Sequence, residues 1–499
     1  MYIRLIILFG KFIARMSKIL NRGAGGTWPG EVVLTISPHI LQNLSTQLKK
    51  GIILVAGTNG KTTTSLMIKK ILEKQGPSVI HNNSGANLVN GVVSAFIQHA
   101  NWWGKVEADW GVFEVDENSL PAVISSIPTS SAGKQFPISN KKGKFSTNTN
   151  NNKLVIVLLN LFRDQLDRYG EVDVIAEKWN KTLGELPDNS SLILNADDPQ
   201  IAYLGESVIA RSDNDLPRRQ AGAAIPNEIA SPLRMARNDD VIYFGIEDKK
   251  QLISSKEHAT DSTFCPKCGA RLTYQGLFFS HLGHWRCTKC EFKRPKPVVF
   301  SAHSPLPGQY NLYNTLAAYS VAQILDIPKK EVEQSLKNFQ AAFGRQESFT
   351  LDKKHIKLFL SKNPTGFNAS LRTVLELKAK HVLLVLNDRI PDGRDVSWIW
   401  DVDFEMIPDA AQITVSGDRT YDLALRMKYA GNNKNSYLAG GQAKIKIQHD
   451  NAKFIIAADL TEAITKSLKL VNPGETLYVL ATYSAMLEVR KILSGRKIL

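Results

Sequence analysis

The sequence predicts an α/β protein built on parallel sheets, with a nucleotide-binding unit followed by a second α/β unit. Three observations carry this. From about residue 50, short apolar runs alternate with helix-period segments; a glycine-rich phosphate loop stands between the first run and the first helix; and four cysteines in two close pairs interrupt the alternation. A chain of 499 residues is long enough for two or three domains with their own cores. A hydrophobic content of 43% excludes a wholly disordered, collagenous or multi-span membrane chain. With 62 basic against 47 acidic residues the net charge is +15, which permits an anionic partner (nucleotide, nucleic acid or membrane surface) and is equally met by a solvated basic surface. Four cysteines in all exclude a disulfide-dense secreted scaffold.

The opening segment MYIRLIILFGKFIARMSKILNRG is apolar but interrupted by charge. It lacks the ~20 uninterrupted apolar residues of a membrane span and the small-residue cleavage site of a signal peptide. Lys11, Arg15, Lys18 and Arg22 share one helical face, and Phe9, Phe12, Ile13, Met16, Ile19 and Leu20 fill the rest. Residues 1–48 read as an amphipathic helix and lead-in. That helix either docks on the domain behind it or contacts an anionic membrane surface through residues 1–22.

The alternation then runs IILVA, TTTSLMIKKILEKQ, VIVLLN, SLILNADD, HVLLVLN, AQITVSG and TLYVLAT. A composition change near Phe343-Gly344-Arg345 divides a central unit, 49–342, from a C-terminal unit, 343–499. Two stretches break the pattern. Residues 128–152 are rich in Ser, Asn and Lys without a single acid, and read as a disordered insertion, with a basic contact surface as the lesser alternative. Residues 262–297 hold all the cysteines.

Gly57-Thr58-Asn59-Gly60-Lys61-Thr62-Thr63 follows an apolar run and opens a helix. Glycines let backbone N–H groups wrap a phosphate, and the helix N-terminus adds positive potential. Lys61 is expected to reach the β- and γ-phosphates and the Thr62 hydroxyl to ligate Mg²⁺. Val55 stands where the usual first glycine of such a loop would be, so the spacing is a shortened one. Cys265, Cys268, Cys287 and Cys290 form C-x₂-C-x₁₈-C-x₂-C, a spacing that closes a tetrahedral zinc site on two knuckles. Four thiolates leave no open coordination position, so the expected role is structural; a pair of redox dithiols is the alternative. His258, His281 and His284 lie nearby and read as surface or packing residues.

The shortened loop G-T-N-G-K-T-T resembles that of the Mur ligases and their folylpolyglutamate synthase relatives. Further pieces match in order: ADWGVFE ending at Glu114; Asn160 to Gly170, with Gln165 where a histidine is usual; LNADDP ending at Pro199; Pro307-Gly308-Gln-Tyr-Asn311-Leu-Tyr-Asn314; and Gly344-Arg345. The resemblance implies an α/β central P-loop domain of Mur ligase type with an inserted Cys₄ zinc ribbon, and a Rossmann-like C-terminal domain. It also implies ATP-dependent activation of a carboxylate as an acyl phosphate, with Glu114 holding Mg²⁺, Asn314 contacting the nucleotide and Arg345 meeting phosphate at the domain junction. The family's carbamylated lysine is not placed by the sequence: Asn180 falls near its expected position, with Lys178 and Lys181 as neighbours. About 50 residues precede the loop, which leaves no room for the domain that holds the UDP part of soluble precursors.

A Mur-type core with a Cys₄ ribbon, Gln165, and the run Asp392-Gly-Arg-Asp395-Val-Ser-Trp-Ile-Trp-Asp-Val-Asp-Phe-Glu405 together resemble the MurT family, ligase subunits of lipid II isoglutaminyl synthase. The resemblance implies ATP, Mg²⁺ and Zn²⁺ as cofactors, lipid II as substrate, and a GatD-like glutaminase partner that supplies ammonia to make D-isoglutamine. By motif position Asp395 would complete the partner's Cys–His pair; without the family it would read as a helix cap. The implied location is cytoplasmic, at the inner face of the membrane. With every cysteine taken by the ribbon, the chain has none left for a glutaminase nucleophile. Two other readings stay open: a stand-alone amino-acid ligase of folylpolyglutamate type, and a zinc-ribbon ATPase that binds nucleic acid. The second should interleave basic and stacking residues near the ribbon, which Tyr274, Phe278, Phe279, Trp285, Lys289, Lys293 and Arg294 do loosely; no nucleic acid is expected.

Overall fold

A computed structural model gives the fold and describes residues 2–19, 26–82, 86–127, 153–163, 172–187, 190–214, 240–253, 257–258, 260–341, 344–408, 410–437 and 454–495. The stretch 128–152, Gln165 with its neighbours, Arg22 and the side chain of Lys18 lie outside the described residues.

Three helices lead in: α1 (Tyr2–Ile19), α2 (Trp28–Ile36) and α3 (Ile40–Ser45). Strands and helices then alternate as β1 (Gly51–Ala56), α4 (Lys61–Lys74), β2 (Val79–His81), α5 (Val89–His99), β3 (Trp110–Glu114), α6 (Leu120–Ser125), β4 (Lys153–Leu158), α7 (Val172–Leu183), β5 (Ser190–Asn195), α8 (Pro199–Asn214) and β6 (Asp240–Phe244). These strands form one wholly parallel sheet in the order β2-β3-β1-β4-β5-β6. β1 and β4 are apolar runs because helices cover both faces. Ile52, Leu54, Leu154, Ile156 and Leu158 point into a core shared with α1, α2, α5 and α7, and Ile53, Val55, Val155 and Val157 into one shared with α4 and two later helices. β1 is central, and the chain leaves it toward β2 on one side while β4 pairs on the other. The loop at its carboxyl end therefore opens where strand order reverses, the usual ligand crevice of such sheets.

The cysteine-bearing stretch forms an antiparallel hairpin, β7 (Leu272–Phe279) with β8 (Leu282–Cys287), spliced between β6 and α9 (Gln309–Ile324). Helix α10 (Lys329–Leu336) follows. A second sheet then assembles from β9 (Arg345–Leu351), β10 (Lys354–Leu360), β11 (His381–Val385), β12 (Gln412–Ser416), β13 (Phe454–Ile456) and β14 (Thr476–Ala481), with α11 (Pro364–Glu376), α12 (Thr420–Tyr437), α13 (Leu460–Leu470) and α14 (Tyr483–Ser494). Its order is β13-β12-β11-β14-β10-β9, parallel except for the β9–β10 edge hairpin. Strands β2, β6, β9, β10 and β13 are not among the apolar runs named from the sequence; β2 and β13 are only three residues long and β9 is a half-exposed edge.

Among the lead-in helices α2 packs closest to the sheet domain. Gly30 N–H donates to Ser94 Oγ at 2.8 Å, and a Cβ on Gly30 would lie 1.8 Å from the Asn90 carbonyl oxygen of α5. Backbone would have to move to admit one methyl group. Gly30→Ala is therefore expected to lower the unfolding free energy of the full chain by about 1–3 kcal/mol, read by denaturant titration; an unchanged midpoint would show that α2 does not seat this way.

Candidate functional site

The loop between β1 and α4 is shaped by two glycines that take positive φ, 136° at Gly57 and 95° at Gly60. At Gly60 space is decisive: a Cβ there would fall 2.1 Å from Asn314 Oδ1 of α9. Asn160, just past β4, clamps the other side of the loop. Its Oδ1 accepts from Asn59 N–H at 2.9 Å, its Nδ2 donates to the Asn59 carbonyl at 3.1 Å, and its own carbonyl accepts from Thr58 N–H at 3.0 Å. The Thr58 hydroxyl accepts from Phe162 N–H at 3.0 Å. Thr58, Thr62 and Thr63 are buried. The first N–H groups of α4, which have no partner inside the helix, face this loop.

Lys61 opens α4 with its ammonium folded back over the loop. Nζ donates to the Gly57 carbonyl at 2.6 Å and lies 3.1 Å from Glu117 Oε2, both side chains being buried. The Thr62 hydroxyl donates to Glu114 Oε2. Glu114 reaches it because the parallel register sets Val55 of β1 beside Glu114 of β3, and Asn82 pins that backbone from the other side, with bonds of 3.0 and 2.9 Å to Glu114 N–H and carbonyl. Asn314 receives the Thr64 hydroxyl at 3.3 Å and donates to Asn311 Oδ1 at 3.2 Å. Lys61, Thr62, Glu114 and Asn314, which come from parts of the sequence far apart, thus converge at one strand end. Glu117, Asn82 and Asn160 belong to the same cluster and were assigned no role from sequence. The run Glu114-Val-Asp-Glu117 directly after β3 was the available signal for Glu117.

Arg345, first residue of β9, faces the cluster from the second sheet. Among the described residues no hydrogen bond or ion pair engages its guanidinium. Burial pulls its pKa below the ordinary arginine value, and the Glu114 carboxylate is the foremost group acting against that. Nearby, Asn363 caps α11 through Gly366 N–H and donates to Asn59 Oδ1 at 3.3 Å, so the second unit touches the phosphate loop directly. Lys178, on α7, reaches the loop after β3: its Nζ donates to Asn118 Oδ1 at 3.1 Å, one residue beyond Glu117.

Asp395 is exposed and distant in sequence from these groups. Its Oδ1 accepts from Ser397 N–H at 2.8 Å, which holds its carboxyl below the usual range, just ahead of a 3₁₀ turn over Ser397–Asp401 whose N-cap position is Val396.

The four cysteine sulfurs lie within 4.8 Å of one another, with Cys265–Cys290 and Cys268–Cys287 at 3.7 and 3.5 Å. A tetrahedron with Zn–S bonds of about 2.3 Å has edges of about 3.8 Å, so the cluster fits a tetrahedral ion. Cys290 and Lys289 N–H groups both donate to Cys287 Sγ at 3.3 Å, and these donors pull the Cys287 thiol down to about 6, favouring the thiolate a metal requires. The hairpin is tied to the nucleotide-side helix by a buried knot: Arg294 Nε and Tyr313 O–H both donate to Asp197, at 2.5 and 2.6 Å. Of the histidines, His284 packs against the Ile246 carbonyl and His258 pairs with Asp403 at the surface. His281 is fully buried, with Nε2 3.2 Å from Asp198 Oδ2 and neither ring nitrogen hydrogen-bonded among the described residues.

Residues 360–486 match the family described as MurT ligase C-terminal. The chain is 31% identical over 443 residues to the lipid II isoglutaminyl synthase (glutamine-hydrolyzing) subunit MurT of Staphylococcus aureus, covering 84% of this chain and 86% of that one. It is 29% identical to the subunit of that name from Streptococcus pneumoniae, over 96% and 95% of the two chains. Among solved structures, a pseudomurein peptide ligase type C from Methanothermus fervidus shares the fold with a TM-score of 0.56 at 21% identity, covering 91% of this chain and 80% of that one. Identity of this extent across nearly the whole length, with the phosphate loop, the four-cysteine hairpin and the C-terminal sheet all in place, means that the chain belongs to the MurT family of ligase subunits.

Proposed function

We propose that this chain is the ATP-using subunit of a lipid II amidating ligase, with a central unit over 49–342 that handles the nucleotide and a C-terminal unit over 343–499 that meets a glutaminase partner. The observation that carries it is the convergence of Lys61, Thr62, Glu114 and Asn314 at the end of β1, in a chain of this family. ATP would lie on residues 57–63, with Asn314 beside the nucleotide and Arg345 toward the phosphates. Thr62 and Glu114 would hold Mg²⁺, which neutralises phosphate charge. In the proposed sequence a substrate carboxylate oxygen takes the γ-phosphoryl group and ADP leaves; ammonia then attacks the acyl carbon and inorganic phosphate leaves. Lys61 and the α4 amides stabilise charge on the moving phosphoryl group, and Arg345 is placed on the second unit where closure of that unit would bring it over the acyl phosphate and shield it from water. The substrate class is a stem peptide on a lipid carrier, its α-carboxyl of D-isoglutamate being amidated, and the work is placed in the cytoplasm at the inner membrane face.

In the resting geometry Lys61 neutralises buried Glu117. Lys61→Ala should therefore cost both chemistry and stability: ATP-dependent product formation should fall by roughly 10²-fold or more, and the unfolding free energy by about 3 kcal/mol, because a buried carboxylate is stranded. Adding Glu117→Gln should restore melting but not turnover. Wild-type turnover in Lys61→Ala would sink the nucleotide assignment.

Zinc is proposed for the four-cysteine cluster. Metal analysis should find about one zinc per chain, and Cys265→Ser or chelation should lower stability on the order of several kcal/mol. Unchanged melting of a demonstrably zinc-free chain would refute a structural ion.

Asp395 is proposed to orient the histidine of a GatD-type glutaminase; its exposure on the 392–405 run leaves it accessible to a partner. Asp395→Asn should preserve ATP binding and complex formation, yet glutamine-dependent amidation should drop roughly 10²–10⁴-fold while ammonia-dependent amidation is kept. Equal loss in both assays would assign Asp395 to the ligase site or to the fold.

A further inference from the structure

Helix α1 has three distinct faces. Ile6, Ile7 and Gly10 point inward, the last packed so closely that a Cβ would meet Val33 and Ile97 at 3.0–3.1 Å. On the outward side Leu5, Phe9, Phe12, Met16 and Ile19 recur at spacings of four and three, and every one is exposed, Phe12 by 60%. Along one flank run Arg4, Lys11 and Arg15.

That flank meets a turn the sequence reading did not connect with it. Asn101 folds the turn after α5, accepting Trp103 N–H at 2.9 Å and Lys105 N–H at 3.0 Å, and so holds Trp102 and Trp103 outward, 57% and 67% exposed. Arg4 lies 4.3 Å over the Trp103 ring, and Arg15 and Lys11 lie 5.2 and 5.7 Å over Trp102. Gly104, at φ 75°, lets the turn approach α1 to where a Cβ would sit 3.0 Å from Arg4 Cα. The result is one continuous surface: an apolar ridge, a basic flank, and two tryptophans stacked on that flank. Exposed apolar area of this kind does not stabilise the isolated chain and marks a binding face.

We propose that the outward ridge of α1 and the Trp102–Trp103 turn form one docking face for a bilayer with anionic headgroups. Charge decides against a second copy of the ridge as occupant. The α1 sequence contains no Asp or Glu, so two ridges brought together would oppose Arg4, Lys11 and Arg15 to their own kind, whereas lipid phosphates supply the missing charge. Tryptophan and long basic side chains suit the depth at which headgroups meet acyl chains, and an apolar ridge on one helix suits burial by about 5–10 Å rather than spanning. Accordingly, no helix among the described residues is long and apolar enough to cross a membrane. The inference draws on the proposed function only in that a lipid-carried substrate would be met at such a surface.

The test is co-sedimentation of the full chain with vesicles of phosphatidylcholine alone or mixed with phosphatidylglycerol, with light scattering on the vesicle-free chain. Binding is expected to the anionic vesicles, with tryptophan emission quenched by brominated lipid. Trp102→Ser with Trp103→Ser, or Phe9→Ser with Phe12→Ser, should weaken binding at least tenfold. Lys11→Gln and Arg15→Gln should each weaken it roughly fivefold, on anionic vesicles only. Binding that the aromatic variants leave intact, equal binding to neutral vesicles, or a dimer that Phe9→Ser with Phe12→Ser dissolves would each overturn the proposal. Ammonia-dependent amidation of a soluble stem-peptide fragment is read in parallel and should be unchanged in all variants. Its failure in the wild-type chain, with vesicle binding retained, would defeat the functional reading and leave the docking face standing.

Discussion

The arrangement of the site depends on how closely Asn314 approaches Gly60. The carboxamide oxygen occupies the volume a side chain at position 60 would need, and the loop can accept it only because that residue has none and can adopt a left-handed backbone. From this contact the rest follows geometrically. Helix α9 is seated against the start of α4, Asn314 is brought to Thr64, and the crevice at the end of β1 acquires a wall that the parallel sheet alone would not provide. Asn160 performs the matching task on the other side, using both ends of its carboxamide to hold Asn59, so the loop is fixed from two strands and one distant helix.

Within that frame the charges are arranged in a chain. Glu117 faces the Lys61 ammonium, Glu114 takes the Thr62 hydroxyl, and Arg345 stands across from Glu114 with no bonded partner among the described residues. Each buried carboxylate is balanced by a donor or a cation, as low-dielectric surroundings demand. Arg345 comes from the other sheet, so the arrangement on the nucleotide side is already neutralised while the second sheet brings a further positive charge to it.

What the sequence revealed of this site is what is local. The phosphate loop, the two cysteine knuckles and the carboxylate ending β3 each lie within a few residues of the signal that identifies them, and alternating apolar runs were enough to place the interior strands. The edge strands of the second sheet were harder to read, because β9 is half-exposed and largely polar and β13, although apolar, is only three residues long. Glu117 and Asn82 were missed for a different reason: nothing about an acid or an amide in isolation tells which cation or backbone it meets across a fold. The same holds for Trp102 and Trp103, which acquire meaning only beside α1, and for His281, a plain ribbon histidine in sequence and a buried partner of Asp198 in three dimensions.

The separation of Thr64 from Asn314 by 250 residues also has a kinetic meaning. The first sheet can pair its strands once residue 244 is available, but the wall of the crevice arrives only with α9, after the cysteine hairpin has been made. Closing a loop of that size costs chain entropy that grows only logarithmically with length, so the delay is set less by thermodynamics than by the order in which the ribosome delivers the chain. The Arg294–Asp197–Tyr313 knot joins the hairpin to the helix residue immediately before Asn314. In chain order the four-cysteine hairpin comes before the crevice wall, so the crevice is among the last features of the first unit that a growing chain can complete.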